Sequence, residues 1–80
     1  MDDLFYDILR LIQDATPHPM TLAEITEATG QKRGKIVGRL NVLRERGYTQ
    51  SVRYLSRTTT ITERGRKALS DHESYLVSSQ

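Results

Sequence analysis

Eleven of the twelve lysines and arginines in this 80-residue chain fall between residues 31 and 67. Lys32, Arg33, Lys35 and Arg39 come first, then Arg44 and Arg46, then Arg53, Arg57, Arg64, Arg66 and Lys67. Glu45 and Glu63 alone oppose them, so this segment carries +9, while residues 1–30 carry −5 and residues 68–80 carry −2. A cationic block between acidic flanks is suited to a polyanion. The plainer reading is a solvated charged face. Nine of the chain's twelve cations are arginine, whose forked donors fit phosphate oxygens and guanine edges in a way that lysine cannot reproduce.

Other chemistries lack their residues. With no cysteine, disulfides, zinc–cysteine fingers and thiol catalysis are excluded. His18 and His72 stand far apart with no carboxylates at ligand spacing, so no metal site is expected. No glycine-rich phosphate loop, nucleophile elbow or paired-carboxylate motif is present, so neither an enzyme nor a cofactor is expected. The apolar runs are too short to span a membrane, and Met1-Asp2-Asp3 lacks the basic start of a signal peptide. These features favour a cytoplasmic chain. The length suits one domain, expected over residues 1–77 with a frayed tail at 78–80.

The cations need elements to hold them. Leu4, Phe5, Ile8, Leu9, Leu11 and Ile12 recur at helical spacing and predict a first helix, α1, from about Asp2 to Asp14. Thr16-Pro17-His18-Pro19 stops it, and Met20 falls in a short extended piece, β1. Thr21-Leu22-Ala23-Glu24 reads as a capping box opening α2, which ends at Gly30 with Leu22, Ile25 and Ala28 as its buried stripe. A third helix, α3, is expected from about Lys32 to Arg46, ending at Gly47. Ile36, Leu40 and Leu43 face inward with Val37 beside them, and Gln31, Gly34, Lys35, Gly38, Arg39 and Val42 face outward.

After Gly47 the period changes. Tyr48, Gln50, Val52 and Tyr54 alternate with Thr49, Ser51 and Arg53 in a strand, β2; Leu55-Ser56-Arg57 is the expected turn, and Thr58–Ile61 the returning strand, β3. Thr62 caps a last helix, α4, with Ala68, Leu69, His72, Tyr75 and Leu76 on one side. Gly65 is expected to weaken its start by about 1 kcal/mol relative to alanine. The predicted core is Phe5, Ile8, Leu9, Ile12, Leu22, Ile25, Ala28, Ile36, Leu40, Leu43 and Ile61.

Two stretches carry a family likeness. One is Leu22-Ala23-Glu24-Ile25-Thr26-Glu27-Ala28-Thr29-Gly30 with Ile36, Leu40, Leu43, Gly47 and Tyr48; the other is Ile61-Thr62-Glu63-Arg64-Gly65-Arg66-Lys67-Ala68-Leu69. Together they resemble the winged helix-turn-helix regulators of prokaryotes, archaea and their viruses, of the MarR and PadR type. There a strand ending in LTEKGR leads from the wing into a closing helix, and here that place reads ITERGR. The resemblance implies a mainly α fold with a small β-hairpin, α1-(β1)-α2-α3-β2-β3-α4. It implies a double-stranded DNA-binding transcriptional regulator, nucleoid-associated or acting in a virus-infected cell, with α3 in the major groove and the wing on the backbone or minor groove. The site residues it marks are Gln31, Lys32, Arg33, Lys35, Gly38 and Arg39 on α3 and its entry, and Arg53 and Arg57 in the wing. Gln31 departs from the usual apolar plug, and Gly34 and Gly38 stand where hydrogen-bonding residues are commoner.

Arg64, Arg66 and Lys67 oppose the dipole of α4, which favours an anionic neighbour about as much as a plain surface cluster. Arg44 and Arg46 suit the end of α3 and read as structural. Winged domains that bind left-handed duplexes use Asn and Tyr on the third helix and a tryptophan in the wing; here those helix positions are Val37 and Asn41, and tryptophan is absent. RNA modules rely on aromatic-rich sheets, which this chain lacks. The serious alternative is a protein-interaction module that packs through a Gly34, Gly38, Val42 ridge. Leu4, Leu11, Tyr75, Leu76 and Val77 exceed what so small a core needs. They point to a homodimer through α1 and α4, which would place two recognition helices about 34 Å apart.

Overall fold

The computed structural model describes residues 2–53 and 57–78, with side chains described except at 52, 53, 57 and 76–78. The elements run α1 (Asp3–Ala15), β1 (Met20–Thr21), α2 (Leu22–Thr29), α3 (Arg33–Glu45), β2 (Thr49–Arg53), β3 (Arg57–Ile61) and α4 (Glu63–Ser78). The sheet is antiparallel with strand order β1-β3-β2, so the hairpin gains a short third strand from the chain before α2.

Local chemistry sets the helix ends. Thr16 closes α1 by donating its hydroxyl to the Ile12 carbonyl at 3.1 Å. The capping box of α2 is complete: the Glu24 N–H donates to Thr21 Oγ1 at 3.1 Å, and the Thr21 N–H donates to Glu24 Oε1 at 3.0 Å. That second bond is the main reason the Glu24 carboxyl lies below its ordinary range. Gly30 ends α2 at φ 67°, a left-handed turn that aims α3 across α2.

Among the described side chains, nine form the core: Ile8, Leu9 and Ile12 of α1, Met20, Ile25, Ile36, Leu43, Ile61 and Leu69. Each fully buried isoleucine or leucine contributes about 1.5–3 kcal/mol of transfer free energy. Met20 and Leu69 were not among the expected core residues; pairing of β1 with β3 carries Met20 inward, opposite Thr59. Phe5, Leu22 and Leu40 are half-buried and pack on this cluster. Ala28 is exposed instead of buried. The inner side of α2 carries Thr26 and Thr29, whose hydroxyls donate to the Leu22 and Ile25 carbonyls at 2.6 and 2.9 Å. Polar residues satisfied in this way can face the core, and the helical phase leaves Ala28 outside.

The hairpin also departs from expectation. Arg57 begins β3, paired across from Arg53, instead of lying in the turn. Tyr54, Leu55 and Ser56 lie outside the described residues. Among the described side chains of β2, Thr49 turns inward, 4% exposed, where this strand packs against α3 opposite Ile61.

The join between β3 and α4 is tight. Thr62 donates its hydroxyl to the Gly47 carbonyl at 2.6 Å and accepts the Gly65 N–H at 3.0 Å. The Thr62 N–H donates to the Tyr48 carbonyl at 3.0 Å. A Cβ on Gly65 would overlap the Tyr48 carbonyl oxygen and stand 2.9 Å from Ile61 Cγ1. Gly65 is therefore required by close approach, and its low helix propensity is secondary.

On the opposite side, α4 lies along α1. Arg10 donates to Glu73 at 3.0 Å, and the His72 ring stacks on Tyr6 with centroids 3.5 Å apart. Tyr75, counted among the apolar residues in excess of the core, is 69% exposed.

Candidate nucleic-acid interface

The buried side of α3 is set by Ile36 and Leu43, both fully buried. At 3.6 residues per turn, the line farthest from them is Gly34, Gly38, Asn41 and Glu45, and all four are exposed. A Cβ at Gly34 or Gly38 would meet nothing within 4 Å, so no other part of the described chain overlies this line. Two edges flank it. Arg33, Val37 and Arg44 border the side toward the sheet, and Lys35, Arg39 and Val42 border the side toward the start of α1.

The N-terminal entry of α3 gathers the expected cations. Gln31, Lys32, Arg33 and Lys35 are all exposed, and Lys32 is the capping residue, its carbonyl accepting the Ile36 N–H at 3.1 Å. None of these cations forms an ion pair among the described residues.

Arg39 is placed differently from the expected outward face. It is half-buried, donating to Asp2 Oδ2 at 2.6 Å, with its guanidinium carbon 5.4 Å from the centre of the Phe5 ring. Its Nε finds no acceptor among the described residues. The Arg39 hydrogen bond, with the Lys35 charge adding to it, holds the Asp2 carboxyl below its ordinary range. Val42 is likewise half-buried, so the ridge expected over Gly34, Gly38 and Val42 turns toward α1 as it climbs and does not stay on the outer line.

Arg53 and Arg57 face each other at the far end of β2 and β3, and their side chains lie outside the described ones. Arg64, Arg66 and Lys67 are exposed on the first turns of α4. A groove of about 130 Å³ separates α3 from the sheet, bordered by Leu22, Val37, Asn41, Arg44, Ser51 and Thr59. Asn41 and Arg44 were not among the expected site residues. They form a pair, with the Arg44 guanidinium donating to Asn41 Oδ1 at 3.3 Å. The phase counted from Ile36 and Leu43 would have placed both on or beside the outer line.

A second groove, of about 340 Å³, runs beside α1, bordered by Leu4, Asp7, Leu11, Asp14, Ala28 and Thr29. Tyr75 stands exposed on α4, and the side chains of Leu76 and Val77 lie outside the described ones. No helix of the described residues is long and apolar enough to cross a membrane, and no cluster of metal-ligating side chains occurs among them.

Comparison with known proteins finds no matching family model and no matching curated relative. Solved structures do match. The transcriptional regulator BldR from Sulfolobus solfataricus aligns with a TM-score of 0.86 and 17% identity, over 98% of this chain and 57% of that one. The M. tuberculosis transcriptional regulator MosR aligns with a TM-score of 0.79 and 18% identity, over 100% of this chain and 64% of that one. The chain thus spans less than two thirds of either regulator. At this identity the likeness shows the fold, a winged helix with four helices and a three-stranded antiparallel sheet, as the ITERGR junction implied.

Proposed function

We propose that this winged-helix chain is a double-stranded DNA-binding transcriptional regulator that lays α3 in the major groove and the β2–β3 wing along the backbone or minor groove. The observation that carries this reading is the outer line of α3. Among the described residues it is uncovered along Gly34, Gly38 and Asn41, and it is flanked at its entry by Lys32, Arg33 and Lys35 with no carboxylate paired to them. Two regulators sharing the fold support it. Gln31, Lys32, Arg33 and Lys35 contact phosphates, and Gly38 lets the helix backbone approach the base edges. Arg39 joins once it leaves Asp2, and Arg53 and Arg57 serve the wing. The protein-interaction reading is not favoured, since the ridge it needs bends away at Val42.

The chain acts as a two-fold dimer through α1 and α4, a pairing supported by exposed Tyr75 and the half-buried Leu4 and Leu11 beside their groove. Sedimentation at micromolar concentration should show it, and a monomer alone would remove it. For DNA binding, fluorescence anisotropy with a labelled random 30-base-pair duplex is the test. Micromolar or tighter binding that weakens several-fold per doubling of salt is expected. A folded protein that binds no duplex at low salt would overturn the proposal.

A further inference from the structure

We infer that the Asn41–Arg44 pair reads a guanine in the major groove, an assignment that rests on the DNA-binding reading above. Asn41 lies on the outer line of α3 and Arg44 on its sheet-side edge. Both are exposed, and the residues on the outer line before them, Gly34 and Gly38, carry no side chain that could hold the helix away from base edges.

The hydrogen bond between the two residues decides what they can read. An unpaired asparagine offers one acceptor and one donor edge and fits adenine, accepting from N6 and donating to N7. Here Asn41 Oδ1 accepts from Arg44 at 3.3 Å, so one of its two lone pairs is engaged and a guanidinium stands beside the other. The pair also carries the Asn41 amide NH₂ and the remaining N–H groups of Arg44, so its donors outnumber its one free acceptor site. That is a surface dominated by donors. Guanine is the base that presents two acceptors, N7 and O6, to the major groove. Cytosine presents an amino donor, which would meet another donor. Adenine would bring its N6 amino group against the guanidinium. Thymine offers one acceptor beside a methyl group. Glu45, the carboxylate on this line, is the last residue of α3, one turn beyond Asn41. The surrounding groove supports the arrangement, with Val37 and Leu22 giving Arg44 an apolar wall for its stem.

The experiment is selection of bound sites from a randomised duplex pool with the wild-type chain, Asn41→Ala and Arg44→Ala. Both side chains are exposed, so thermal melts of the variants should match the wild type. Wild type should enrich one guanine per half-site. Either variant should lose about tenfold or more of the preference at that position, with affinity for a random duplex changed less in Asn41→Ala than in Arg44→Ala. Replacing that guanine by 7-deazaguanine, which removes the N7 acceptor, should weaken wild type and leave Asn41→Ala unaffected. Binding with the same selected sites in all three proteins, or selection without a guanine, overturns this assignment alone. Failure of the wild type to bind any duplex overturns the DNA reading and this assignment with it.

Discussion

Gly65→Ala is expected to lower stability by about 2–3 kcal/mol, although alanine is the better helix former by about 1 kcal/mol. The position lies inside α4, where propensity alone predicts a gain. The added methyl has no room. It would overlap the Tyr48 carbonyl oxygen and press on Ile61 Cγ1 at 2.9 Å. Forcing the first turn of α4 away from β2 costs about 1–3 kcal/mol of overpacking. It also strains the bond in which the Thr62 N–H donates to that same carbonyl at 3.0 Å, worth about 1 kcal/mol. Such a loss should lower Tm by roughly 10–20 °C in a domain of this size. The contrast lies on α3. Gly34→Ala and Gly38→Ala place a methyl in open space and should each raise stability by about 0.5–1 kcal/mol. Thermal melts of the three variants check both signs. A Gly65→Ala protein melting at or above the wild-type temperature would show that the β3–α4 junction relaxes freely.

The second large effect is electrostatic. Removing Arg33 and Lys35 together should weaken random-duplex binding about 100-fold at low salt, since a charge-assisted phosphate contact is worth about 1.5 kcal/mol or more and each 1.4 kcal/mol is tenfold. It should also flatten the salt dependence by about two contacts, so the loss shrinks as salt rises. Asp2→Asn should act the other way. Asp2 holds Arg39 at 2.6 Å and lies within the field of Lys35, so its charge competes with phosphate for both cations. The neutral variant should bind several-fold more tightly and with a steeper salt slope. Acid should imitate it, because the Asp2 carboxyl sits below its ordinary range and gains a proton only as pH falls through that lowered value. Equal affinity of Asp2→Asn and wild type would mean that Arg39 takes no part in the DNA contact.

What the sequence disclosed was local. The capping box of Thr21 and Glu24, the left-handed Gly30 and the ITERGR junction depend on residues a few positions apart, and all three are formed in the fold. What stayed hidden depends on distant partners. Arg39 has the spacing of an outward cation, yet Asp2, 37 positions earlier, turns it back onto Phe5. Gly65 looks like a weak helix residue until Tyr48 is brought against it. Ala28 follows an apolar stripe that two threonines displace by satisfying their own hydroxyls. Asn41 and Arg44 were within reach of the sequence, since the phase of Ile36 and Leu43 points them outward. Charge at the start of α3 outweighed phase, and Arg44 read as a helix-end residue.

The most direct test of the central claim is an amide nitrogen–proton correlation spectrum recorded as a random duplex is added. Gly34 and Gly38 fall in the glycine region of the spectrum and mark the outer line of α3, while Gly65 marks the buried junction with the sheet. Gly34, Gly38, Asn41 and Lys35 should shift strongly, with Gly65, Leu11 and Ala28 nearly still. Strong shifts at Leu11, Ala28 and the α1 groove, with Gly34 and Gly38 unmoved, would contradict the claim and place the nucleic acid on another face.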